Sequence, residues 1–373
     1  MCQSYNIYMQ LPEDIDNIID EIILANPYNR DFILDKLINL KSESGLANTL
    51  DVLFRQQLNA GFILTDPEII STGDSRIFQD DKTGIRFKVE WNPARELRKQ
   101  HNLLIQRDII DAEADQSRLI NRDINNKPCY LCRNNIDLQN PLEVLLPLRL
   151  SGNDYYCGAN FAPITRNHFT IMSSDHIEQR YRKSVIYSMI DFVLQTGGKY
   201  SVVFNGRAGA SILSHLHLQA TTEKLPVEEI KIDDDDYLIY ENKLCISKPF
   251  YYLPLYIVEG NDYEIVGEKA DNIVGRWLNI EPEFNTQNIL VTKAEEIIRV
   301  LIFLRDRRRL IGDGKEGDMG TFECSGELVL SSDIMVKGES GKERVLYNNI
   351  TLDKITALLS QISPDDSKLN IQS

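Results

Sequence analysis

Apolar residues recur along this chain at helical spacing in some stretches and in alternation in others, and the succession of the two sketches an architecture. Ile15, Ile18, Ile19, Ile22 and Ile23 fall on one helical face that ends before Pro27. Leu46, Leu50, Leu53, Phe54 and Leu58 make a second stripe that stops at Gly61. The first sixty residues therefore read as helical and acidic, with stripes that pack on the main body and carry no chemistry. Phe62 to Arg86 reads as a mixed loop region, and Phe87 to Trp91 alternates like a strand. After the turn at Cys129-Tyr130-Leu131-Cys132, short extended pieces are expected up to Phe161, then a strand over His168 to Met172. Val185, Ile186, Met189, Ile190 and Val193 define an amphipathic helix that Gly197-Gly198 ends. A short apolar strand, Tyr200 to Phe204, follows.

Beyond residue 219 the pattern weakens. Asp233 to Asp236 is an acidic, solvated loop, Phe250 to Val258 is strand-like, and Ile297 to Leu304 is a buried strand interrupted by Arg299. A strand near Glu327 to Leu330 and a last helix capped by Thr351, with Ile355, Leu358, Leu359 and Ile362 on one face, complete the chain. This order predicts an α+β module rather than a parallel doubly wound sheet. No long linker, low-complexity tract or fixed-period repeat is visible.

One stretch concentrates polar chemistry. Asn205-Gly206 is a turn signal, and from Ser214 to Gln219 the alternation puts Leu216 and Leu218 on one side. His215, His217 and Gln219 fall on the other, about 7 Å apart along an extended chain. Such a face, entered through a Gly-rich turn, suits a phosphate or a metal. A half-buried strand with histidines facing water is the plainer alternative.

Composition narrows the partners. The 373 residues carry a formal net charge of −15, which argues against wrapping nucleic acid or an anionic membrane but leaves room for an isolated anion pocket. No targeting segment or membrane span is read in the sequence, so a cytoplasmic location is expected. Six cysteines are too few for a disulfide scaffold at this length, and only Cys129 and Cys132 form a local pair. Arg95, Arg98 and Lys99 make a basic cluster behind Asn92-Pro93-Ala94, either a solvated face or a phosphate contact, and His101 belongs to the same surface.

The Cys-x2-Cys pair offers two thiolates and leaves a tetrahedral zinc two ligands short. His215 is a candidate for the third, and His176 or His168 for the fourth; the alternative is two reduced thiols in a turn. Two cysteines and two histidines would fill the zinc sphere and make it structural. His217 would then remain as a nucleophile beside the backbone N–H groups of Gly209-Ala210-Ser211, with Gln219 and Ser211 donating to phosphate oxygens. Glutamine cannot act as a general acid, so a good leaving group and transfer or phosphorolysis are favoured over hydrolysis.

The string Ser214-His215-Leu216-His217-Leu218-Gln219-Ala220 resembles the His-x-His-x-Gln motif of the transferase branch of the histidine-triad superfamily. That branch includes galactose-1-phosphate uridylyltransferase, the GDP-hexose phosphorylases and the diadenosine tetraphosphate phosphorylases. Asn92-Pro93-Ala94-Arg95, Cys129 to Cys132, His168-Phe169-Thr170-Ile171, His176 with Gln179, and the Gly-Ala-Ser turn together look closest to an uncharacterised bacterial family of this type. The resemblance implies an α+β fold, with two antiparallel half-barrel lobes in one chain and flanking helices. It divides the chain into a helical segment (1–60), a lobe with zinc and nucleophile (61–230) and a degenerate second lobe (231–373). It implies zinc on Cys129, Cys132, His176 and His215, catalysis by His217 and Gln219, and substrate contacts from Asn205, Ser211, Arg95 and Asn92.

The implied activity is a nucleotidyltransferase or nucleoside-diphosphosugar phosphorylase working through a nucleotidyl-His217. The partner would be a nucleotide or nucleotide sugar, and a homodimer is conceivable. A hydrolase of the same superfamily and a zinc-stabilised nucleotide-binding protein without turnover are the alternatives. Three departures stand out. Phe303 to Arg309 lacks the prolines and histidine of the related second-lobe segment. Three residues separate Ser211 from His215 where the phosphorylases usually have two. The phosphorylases also generally lack the zinc pair.

Overall fold

The computed structural model of the protein describes residues 13–63, 74–92, 121, 128–241, 244–309, 319–330 and 342–371. Helix α1 (Glu13–Ile23) and helix α2 (Arg30–Asn59) carry the two expected stripes. The second stripe begins where it does because Gly45, at φ 83° and ψ 169°, breaks α2 in a conformation that side chains resist. Asn29 caps the start of α2 by accepting the Phe32 N–H. Helix α3 (Arg133–Gln139), α4 (Lys183–Gln195) and α5 (Tyr263–Ile280) follow. A short helical turn α6 (Thr321–Cys324), α7 (Lys342–Asn349) and α8 (Leu352–Gln361) complete the set. Gly197 and Gly198, at φ 62° and 82°, end α4, and the Thr351 hydroxyl caps α8 by accepting the Lys354 N–H.

Ten strands form one antiparallel sheet. They are β3 (Leu146–Leu150), β4 (Asn153–Ala159), β5 (Phe169–Ser173), β6 (Ser201–Asn205), β7 (His217–Thr221), β8 (Tyr237–Glu241), β9 (Leu244–Ser247), β10 (Leu255–Gly260), β11 (Asn285–Ala294) and β12 (Ile297–Asp306). Their order is β3-β4-β5-β7-β6-β11-β12-β10-β9-β8. The sheet is one unit made twice: three strands, a helix, then two strands whose order is inverted. The first copy is β3, β4, β5, α4, β6 and β7; the second is β8, β9, β10, α5, β11 and β12. The copies join where β6 pairs with β11, from Asn288 opposite Asn205 to Val291 opposite Val202. This duplication leaves no fixed-period repeat in the sequence.

Alternation along the strands builds two cores, one on each face. Phe204, Leu218, Ile171, Ile289 and Ile302 point to the face covered by α1, α2, α4 and α5. Val203, Leu290, Leu301 and Phe303 point to the other. There a small sheet covers the second copy: β1 (Ser75–Gln79), β2 (Arg86–Trp91) and β13 (Glu327–Leu330), helped by α6, α7 and α8. Strand β1 falls inside the expected loop region because its alternation is shallow, with Ile77 exposed. Over the first copy the same face carries, among the described residues, a small cluster of Ile136, Leu145 and Met172. The His217 strand lies between these two clusters, with Met172 opposite His217 and Val203 opposite Gln219.

Candidate metal and phosphate site

The chain from Pro128 to Cys132 makes a turn that feeds α3, with Cys132 at its N-cap. The Asn135 amide donates to the Cys129 carbonyl at 2.9 Å and fixes the turn. The Leu131 N–H and the Asn121 amide point at Cys129 Sγ (3.4 Å) and Cys132 Sγ (3.3 Å). His176 stands in the corner after β5, and His215 just before β7. The Nδ1 atoms of these two histidines and the two sulfurs all lie within 4.8 Å of one another. His215 Nε2 is 2.8 Å from the Ser173 carbonyl, so it carries the proton and leaves Nδ1 as a lone pair toward the sulfurs.

A tetrahedral zinc with bonds of about 2.3 Å to sulfur and about 2.0 Å to nitrogen would space sulfur from nitrogen by about 3.5 Å. The observed separations are 3.4 Å (Cys129 to His215), 3.5 Å (Cys132 to His215) and 3.1 Å (Cys132 to His176). The residues therefore fit a zinc ion in both donor type and spacing. Cys129 is pulled down to about 3, chiefly by its hydrogen bond with Cys132 and against the effect of burial. Cys132 is pushed far up because it keeps the proton that the pair shares. A bound cation would replace that proton. His168, the other candidate for the fourth ligand, is not in the cluster.

Two residues further on, His217 is buried in a different frame. Its Nδ1 is 2.9 Å from the His215 carbonyl, so Nδ1 carries the proton and, in the neutral ring, Nε2 carries the lone pair. The backbone around it is held by Gln179, an almost fully buried side chain. The Gln179 Oε1 accepts the His217 N–H at 2.7 Å, while Nε2 donates to the carbonyls of His217 (3.0 Å) and Asn205 (2.8 Å). Strands β6 and β7 pair from Ser201 opposite Thr221 to Val203 opposite Gln219. Past that point the Gln179 amide stands in for the missing ladder bonds. It lets the strands part around His217 without leaving buried backbone unsatisfied.

The turn that leads from β6 toward His217 is built on the second copy. Gly206 N–H donates to Asn288 Oδ1 at 3.2 Å and Arg207 N–H to Thr286 Oγ1 at 2.9 Å. A Cβ at Gly206 would come within 2.1 Å of the Gln287 carbonyl, so the approach admits only glycine. Asn205 Oδ1 accepts from both the Thr321 N–H and its hydroxyl, each at 2.7 Å. Beneath the turn, fully buried Arg305 donates to the carbonyls of Met319 (2.5 Å) and Ala208 (3.3 Å). Among the described residues no carboxylate forms an ion pair with it.

The structure thus brings together Cys129, Cys132, His176 and His215, and places His217, Gln219 and Asn205 around the parted strands. Ser211 lies exposed in the turn. Asn92 is wholly buried, and among the described residues neither polar atom of its side chain finds a partner. Arg95 and the basic cluster with His101 lie outside the described residues. Gln179, Thr321 and Arg305 were not singled out as site residues from the sequence. The histidine strand carries no local signal for Thr321 and Arg305, which reach the site from more than eighty residues away.

These features are those of an α+β fold in which two antiparallel five-stranded halves join edge to edge into one sheet with flanking helices. The chain is similar in fold to yeast Ap4A phosphorylase Apa2. The complex of that protein with AMP superposes at a TM-score of 0.52 and 14% identity, covering 84% of this chain and 94% of the other. Its complex with Ap4A gives 0.51 and 15% over 84% and 95%, and a third structure of it 0.52 and 12% over 85% and 96%. At these identities the likeness is one of fold. The family model of a domain of unknown function (DUF4922) matches residues 75–222. No curated protein matches the chain.

Proposed function

We propose that the protein transfers a nucleotidyl group through a covalent intermediate on His217, as a transferase or phosphorylase acting on a nucleotide sugar or another nucleoside polyphosphate. The observation that supports this reading is the hydrogen bond from His217 Nδ1–H to the His215 carbonyl, which in the neutral ring leaves the lone pair on Nε2 for attack. The Nε2 lone pair attacks the α-phosphorus and the bond from phosphorus to the leaving oxygen breaks. The imidazole becomes positively charged, and the His215 carbonyl that accepts Nδ1–H stabilises that charge. An acceptor phosphate or sugar phosphate then attacks the same phosphorus, and the bond to Nε2 breaks. Gln219 and Asn205 donate to the nonbridging oxygens. No side chain assigned to the site protonates the leaving group, so that group must leave as a stable anion.

Cys129, Cys132, His176 and His215 would hold zinc as a structural ion, tying the α3 turn to the corner after β5 and to the start of β7. The nucleotide complexes of the yeast fold relative support a nucleotide as substrate. The test is incubation with a panel of nucleotide sugars and dinucleoside polyphosphates, with and without added phosphate. The reading expects phosphate-dependent products in the wild type and none in His217→Asn. Products that form equally without phosphate or another acceptor would replace transfer by hydrolysis, and a bound nucleotide never consumed would contradict both.

A further inference from the structure

The amide of Gln219 can face substrate with either its NH2 group or its carbonyl, and only the first binds a phosphate oxygen. The structure fixes the choice through a buried histidine outside the metal cluster. The Ile164 backbone N–H, which can only donate, lies 3.1 Å from His168 Nδ1. That nitrogen must therefore be the acceptor, and the proton of the neutral ring sits on Nε2. His168 Nε2 is 3.2 Å from Gln219 Oε1, so this contact is a donation from the ring to the amide carbonyl. The Gln219 carbonyl is thereby occupied and its NH2 is turned the other way. The ring is only 1% exposed and meets the edge of Phe322, with centroids 5.5 Å apart at 75°, so it has little freedom to rotate.

We infer that His168 is a positioning residue that locks the Gln219 amide with its NH2 toward the phosphate, an inference that rests on the reading of His217 as the nucleophile. A free amide would sample the flipped state, which sets a carbonyl dipole against an anionic oxygen. The lock matters most as charge builds on the phosphate oxygens, so its loss should fall on the rate of nucleotidyl transfer rather than on nucleotide binding.

His168→Phe keeps the ring and its contact with Phe322 but cannot donate. It should slow His217 nucleotidylation roughly tenfold or more with little change in KM. His168→Gln, whose amide N–H donates from nearly the same place, should recover part of the rate. In a Gln219→Leu background His168→Phe should cost nothing further, and a full additional loss there would overturn the inference. A second arm needs no activity. The chain has only five histidines, so their ring nitrogens are separable in a long-range nitrogen-15 NMR spectrum. His168 should show a protonated Nε2 and an unprotonated Nδ1, and Gln219→Leu should move its signals. A protonated Nδ1 would overturn the inference, whereas failure of the wild type to form any adduct would overturn only the proposed activity.

Discussion

Both copies of the duplicated unit must carry the chain from their fourth strand to their fifth, and they do it differently. In the first copy residues 206–216 intervene between β6 and β7, and these hold the Gly-rich turn and His215. In the second, β11 turns into β12 through Glu295 and Glu296 alone, with Glu295 at φ 51°. The strands on either side of that tight hairpin stay paired to the end, from Ala294 opposite Ile297 to Asn285 opposite Asp306. In the first copy pairing stops early, and Gln179 fills the gap. One copy thus opens its strands around a histidine, while the other keeps them closed. The second copy instead supports the first from its far end, where Thr286, Asn288 and Arg305 hold the turn between β6 and β7.

If the open end of the first copy depends on its metal cluster, Cys129→Ser should have the largest effect. It should remove about one zinc per chain and lower the melting temperature more than any other single change below, since structural zinc contributes on the order of 10 kcal/mol in small domains. Elemental analysis beside a thermal melt reads both. Support from the second copy is tested by Arg305→Met, which leaves the Ala208 carbonyl without its donor and the Met319 carbonyl with the Asn288 amide in place of the guanidinium. A loss of about 2–5 kcal/mol is expected in urea unfolding, with faster hydrogen exchange at Gly209 and Ala210. Gln179→Met should cost less, about 1–3 kcal/mol, and should slow nucleotidyl transfer because His217 loses its backbone frame. At the bottom of the scale, two residues inserted between Glu295 and Glu296 should cost under about 1 kcal/mol and leave transfer unchanged. An insertion that stopped the reaction would mean that the closed hairpin takes part in it.

Much of this was legible in the sequence where the signal is local. The stripe from Ile15 to Ile23, the alternation around Leu216 and Leu218, and the Cys129-Cys132 pair each report through neighbours on the chain. Spacing alone left His168 and His176 open as the fourth cluster residue; the resemblance singled out His176, and His176 is the one in the cluster. The two stand at opposite ends of β5, His168 just before it and His176 in the corner after it. Strand β11 gave no apolar signal at its start for a different reason. Asn285, Thr286, Gln287 and Asn288 are polar, yet all four are buried: Asn288 lies in the seam with β6, and Thr286 and Asn288 lie under the turn. Helix α3 was read as extended because Ile136 alone supplies it with a buried apolar side chain. Pairing between distant segments decides such positions, and a single sequence does not display it.

The division of labour between His215 and His217 is the centre of this account. A mass spectrum of the intact protein under native conditions, taken after incubation with a nucleotide sugar or a dinucleoside polyphosphate, reads metal and nucleotide in the same peak. The account predicts one zinc plus one nucleotidyl group in the wild type, and one zinc with no nucleotidyl group in His217→Asn. A nucleotidyl adduct on His217→Asn, or a wild-type protein that carries the adduct but no zinc, would contradict it.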